Sequence, residues 1–163
     1  MRCDALMARY SPDSLFDSAF GGTRRSQPLR RDEELDGSTA ADLIEGEQGN
    51  DSIEAGSGAD TVDGGDGADE IEAGGGNDVV DGGSGADLIE GEQGNDSIEA
   101  GAGADTVDGG EGADEIEAGG GDDVVDGGAG ADLIDGEKGD DSIEAGAGAD
   151  TMEGGKGGDT AAG

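Results

Sequence analysis

From about residue 41 the chain repeats one short pattern: a polar, glycine-rich stretch, then a single aliphatic residue between more polar neighbours. The aliphatics are Ile44, Ile53, Val62, Ile71, Val80, Ile89, Ile98, Val107, Ile116, Val125, Ile134, Ile143 and Met152, and every step between them is nine residues. Each is followed by Asp or Glu and stands two residues after an aspartate. One inward side chain between outward neighbours predicts a very short strand. The glycines, at unit positions one, two and four, predict a tight turn before each strand, because glycine reaches left-handed backbone without steric cost. Glycine at this density excludes a helix.

The unit reads G/A-G/E-x-G-x-D-x-(I/V)-(D/E). Turn, strand, turn, strand makes an 18-residue coil, and coils stack by parallel pairing at about 4.8 Å. This predicts one sheet through Ile44, Val62, Val80, Ile98, Ile116, Ile134 and Met152, and a second through the remaining aliphatics, with the two rows meeting between them. A longer period is superimposed. Residues 41–85 and 86–130 differ only at Ser57/Ala102, Asp66/Glu111, Asn77/Asp122 and Ser84/Ala129. That block holds an odd number of units, so equivalent units fall on opposite sides in successive blocks.

Composition sharpens the picture. Gly accounts for 38 residues, the aromatics are only Tyr10, Phe16 and Phe20, and His and Trp are absent. A core built without large side chains has to be thin and repetitive, or absent. The net charge is −35, yet residues 1–36 hold six of the eight basic residues and all the aromatics. Residues 1–36 are therefore expected to be a polar, flexible leader, and residues 37–163 a repeat domain of 14 nonapeptides whose first and last are degenerate. A polyanion cannot displace the counterions of a phosphate backbone, so no nucleic-acid partner is expected. No apolar run has transmembrane length. The N-terminus lacks the apolar stretch of a cleaved signal peptide. Cys3, the sole cysteine, cannot form an intramolecular disulfide.

One Ile or Val per unit contributes roughly 1.5–3 kcal/mol, far less than the conformational entropy of nine ordered residues. The acidic residue closing each unit adds like-charge ladders along both outer faces. Something cationic must belong to the fold. Each turn offers a carboxylate and several carbonyl oxygens, and stacked turns such as those of Asp51 and Asp69 can share an ion. Calcium takes six to eight oxygens in flexible geometry, whereas magnesium holds its waters in a strict octahedron. Without His or Cys in the repeat, zinc, copper and iron–sulfur sites are disfavoured. EF-hand and phosphate-loop spacings are absent. Nothing sets one carboxylate pair apart from the others, and catalysis is not expected.

The units resemble the repeats-in-toxin (RTX, hemolysin-type) calcium-binding nonapeptide, and Gly82-Gly83-Ser84-Gly85-Ala86-Asp87-Leu88-Ile89-Glu90 is one full match. The resemblance implies an all-β fold: a right-handed parallel β-roll, or β-solenoid, with two short strands per 18-residue coil and about seven coils. It implies multiple calcium ions held between turns by the carboxylates of Asp51, Asp60, Asp69, Asp78, Asp87, Asp96, Asp105, Asp114, Asp123, Asp132, Asp141, Asp150 and Asp159. Asp42 is the weakest candidate, because Ala40 replaces a glycine in its turn. Glu47, Glu92 and Glu137 replace the second glycine, and Ala55, Ala73, Ala100, Ala118 and Ala145 the first. The family further implies secretion to the extracellular space by type I machinery. The lack of its usual C-terminal signal suggests a fragment or truncated copy, missing neighbouring domains. Two other readings are an acidic surface solenoid that binds mineral or cationic partners, and a disordered acidic repeat.

Overall fold

The computed structural model describes residues 32–163. It is an all-strand, parallel β-solenoid of about seven turns with no helix among the described residues. One sheet has eight strands in coil order: Glu34–Ser38, Ser52–Gly56, Glu70–Glu72, Leu88–Glu90, Thr106–Asp108, Val124–Asp126, Ser142–Glu144 and Thr160–Ala162. The other has seven: Leu43–Glu45, Thr61–Asp63, Val79–Asp81, Ser97–Glu99, Glu115–Glu117, Leu133–Asp135 and Thr151–Glu153. Every pairing is parallel and joins residues 18 apart, for example Ile71 with Ile89 and Ile98 with Ile116. The two expected rows are therefore present, each in register with itself.

Alternation continues past each strand. The Ile or Val at unit position eight points inward, the acidic residue at position nine outward, and position one inward again. Thus Ala55, Ala73, Ala100, Ala118 and Ala145 are fully buried and join Ile53, Val62, Ile71 and their counterparts in one continuous core. Read from sequence, those alanines are departures from glycine; in the fold they extend the interior. A third, three-stranded sheet (Glu111–Gly112, Ala129–Gly130 and Ala147–Gly148) runs along one edge, where turns pair directly.

Residues 1–31 of the expected leader lie outside the described residues. The first strand begins at Glu34, ahead of the boundary expected at residue 37, and Leu35 pairs with Ile53 and packs on the core. Leu35 stands nine residues before Ile44, but Glu33 replaces the aspartate that marks later units. On the outer faces, position-nine carboxylates stand in register, as with Glu54, Glu72 and Glu90. Burial, and then the charges of Asp81 and Glu45, pushes the Asp63 carboxyl up.

Candidate metal centre

The aspartate that ends each turn is held rigidly. Its Oδ1 accepts a hydrogen bond from the backbone N–H of the aspartate one coil earlier: Asp51 N–H to Asp69 at 2.8 Å, Asp78 N–H to Asp96 at 2.9 Å, Asp105 N–H to Asp123 at 2.8 Å. The series runs unbroken to Asp150 and Asp159, which accept from Asp132 and Asp141. Asp51, Asp69, Asp87, Asp105, Asp123, Asp141 and Asp159 thus line one edge of the roll. Asp60, Asp78, Asp96, Asp114, Asp132 and Asp150 line the other.

The second oxygen is different. Oδ2 of Asp51, Asp60, Asp69, Asp78, Asp87, Asp96, Asp105, Asp114, Asp123, Asp132 and Asp141 is buried and has no hydrogen-bond partner. A buried charged oxygen without a donor costs at least about 1–3 kcal/mol. Eleven in one small domain cannot be incidental. Asp150 and Asp159, at the C-terminal end, are only half-buried.

The oxygens beside Oδ2 are acceptors too. A methyl group placed on Gly64 would meet Asp69 Oδ2 at 2.9 Å and the Gly82 carbonyl oxygen of the next coil at 2.7 Å. Gly91 stands in the same relation to Asp96 Oδ2, at 2.9 Å, and the Gly109 carbonyl, at 2.6 Å. Across the turn, a methyl on Gly85 would fall 1.3 Å from the Gly67 carbonyl oxygen, so position four of one turn aims its carbonyl at position four of the next. No hydrogen bond reaches the carbonyls of Gly64, Gly67 or Ala68, or of their counterparts Gly82, Gly85 and Ala86. Each gap between stacked turns therefore gathers carboxylate and carbonyl oxygens with no donor among them.

Electrostatics gives the same answer. Burial, opposed by the hydrogen bond from Asp51 and reinforced by the charges of Asp87, Asp51 and Asp63, pushes the Asp69 carboxyl up to about 6. Asp96 also rises to about 6, through burial first and then the charges of Asp78 and Asp114, against the hydrogen bond from Asp78. Burial raises Asp51, Asp60, Asp78, Asp87, Asp105, Asp114 and Asp123 as well. These groups resist ionising in this fold unless a positive charge joins them.

The donor set fits calcium: all oxygen, largely backbone, one carboxylate per turn. Among the described residues, no group of three or more Asp, Glu, His or Cys side chains converges on one point. Any ion must draw most of its ligands from carbonyls, which suits neither zinc nor copper. The free carbonyls were not assignable from side-chain identity, and glycine was their only signal. A second latch was also missed. Asn50 Oδ1 accepts the Ala68 N–H at 3.1 Å and Asn95 Oδ1 that of Ala113 at 2.9 Å, so position-five side chains tie turns together where they are Asn or Asp.

The family model for the RTX calcium-binding nonapeptide repeat matches residues 36–71, 54–89, 63–98, 81–116, 90–125, 99–134 and 126–161. No curated protein matches the chain. Seven overlapping matches span nearly all of the solenoid, register by register, and the chain belongs to the RTX calcium-binding nonapeptide repeat family.

Proposed function

We propose that this chain is a calcium-dependent folding module, whose interior aspartates, from Asp51 to Asp159, ligate calcium ions between stacked turns. The observation that carries this reading is the row of eleven buried, donorless Oδ2 atoms. Each is held in place by its partner Oδ1 and set beside carbonyls that accept nothing. When bound, calcium supplies positive charge and high coordination number. The chain's own residues position the oxygens, exclude water with the Ile, Val and Ala row, and bring the coils into register.

The module belongs outside the cell. Extracellular calcium modules bind in the range of about 10⁻⁴–10⁻³ M, so the chain stays expanded in a low-calcium cytosol and folds on export. Family members typically occur in secreted proteins, which supports that placement.

The test is the triple variant Asp78→Ala, Asp96→Ala, Asp114→Ala, three successive carboxylates on one edge. Calcium bound per chain, measured by equilibrium dialysis with elemental analysis, should fall, and the cooperative gain of β structure should split or vanish. An unchanged ion count would remove these carboxylates from the ligand set.

A further inference from the structure

One aspartate in the series departs from the rest. Asp42 is buried, but its Oδ2 is not among the unpartnered oxygens. It accepts two hydrogen bonds from Ser38: one from the hydroxyl at 2.7 Å, one from the backbone N–H at 2.8 Å. The Ala40 N–H in turn donates to Ser38 Oγ at 3.3 Å. Otherwise the turn joins the stack as interior turns do, with the Asp42 N–H donating to Asp60 Oδ1 at 2.7 Å.

The backbone explains the difference. In later turns position two is Gly or Glu at positive φ, as at Glu47, Gly56, Gly65 and Gly74. Ser38 occupies that position and ends its strand as its partner Gly56 does, but its φ is not positive. Its side chain and amide can therefore turn onto the carboxylate four residues on. Ala40 completes the change at position four, where later turns carry glycine.

We propose that the Ser38–Asp42 turn is a metal-free end cap that terminates the ion row. There a hydroxyl and an amide N–H supply to Asp42 what a divalent ion supplies to interior aspartates. Solenoids need terminal units that close the stack. The proposal rests on the calcium reading above but fails separately from it.

The experiment counts calcium per full-length chain for wild type, Asp42→Asn, Asp78→Asn and the double variant Ser38→Gly, Ala40→Gly. Asp42→Asn should match wild type, while Asp78→Asn binds fewer ions. The double variant restores the interior pattern and should bind one ion more than wild type. Hydrogen exchange read by mass spectrometry adds an independent measure: in calcium, Ser38→Ala should speed exchange in the peptide covering residues 38–45 and leave central coils unchanged. Loss of an ion in Asp42→Asn, no gain in the double variant, or unaltered exchange in Ser38→Ala overturns the cap. A wild-type chain that binds no calcium overturns the calcium reading and the cap with it.

Discussion

Without calcium, the interior aspartates decide how the chain responds to pH. In the roll Asp69 and Asp96 sit at about 6, against 3.8 for an ordinary aspartate. The folded value is the higher one, so these groups favour folding below about pH 3.8, and that contribution is lost as pH rises through about 6. A shift of about two units corresponds to about 3 kcal/mol for each of the two groups. Seven further interior aspartates move in the same direction, with burial as the first cause. Protonation also makes Oδ2 a potential donor, and the carbonyl of Gly82, which accepts no hydrogen bond, faces the same space beside Gly64 as Asp69 Oδ2. Acid should therefore substitute in part for calcium. The assay is far-ultraviolet circular dichroism with small-angle scattering, in chelator, from neutral pH to about 3.5. The chain should be expanded at neutral pH, then gain β structure and contract between about pH 6 and 4. No gain at the acid end, or β structure that is greatest at neutral pH and lost on acidification, would refute the reasoning.

Three other outcomes follow from the same geometry. At subsaturating calcium, lowering the pH through about 6 should reduce the number of ions bound per folded chain, since protons compete with the ion for Asp69 and Asp96 within the roll; equilibrium dialysis at several pH values checks this. Gly76→Ala should disrupt the stack, because the added methyl would fall 1.2 Å from the Gly58 carbonyl oxygen at a residue with φ of 153°; the readout is loss of cooperativity in calcium-induced folding. Glu92→Gly should stabilise the calcium-loaded roll by about 0.5 kcal/mol, because relief of left-handed strain at φ 67° exceeds the added freedom of the unfolded chain. Urea unfolding in saturating calcium measures it.

Much of this was legible because the period is rigid. A nine-residue step fixes which aliphatics share a sheet, and thirteen consecutive repeats leave no alternative register. Ile53 over Ile71 and Ile44 over Val62 follow from counting alone. The aspartates were legible for the same reason. What escaped depends on backbone direction. Ala55 and Ala118 look like imperfect glycines until the strand is seen to carry its alternation into the turn, which buries them completely. The carbonyls of Gly64 and Gly67 have no side-chain signature. Leu35 lacks the aspartate signal, because Glu33 stands two residues before it, yet an aliphatic residue in step with the period is enough to extend the sheet. Ser38 differs from glycine in one atom group, and only its contacts with Asp42 reveal a cap.

The central claim is that divalent ions, rather than apolar packing, hold this roll together. It is tested most directly by a calcium titration of the full chain followed by circular dichroism, starting in chelator at neutral pH. The account predicts little β structure at the start and a cooperative rise within about 10⁻⁴–10⁻³ M calcium. A β signal already complete in chelator, or none by about 10 mM, well above that range, would contradict it.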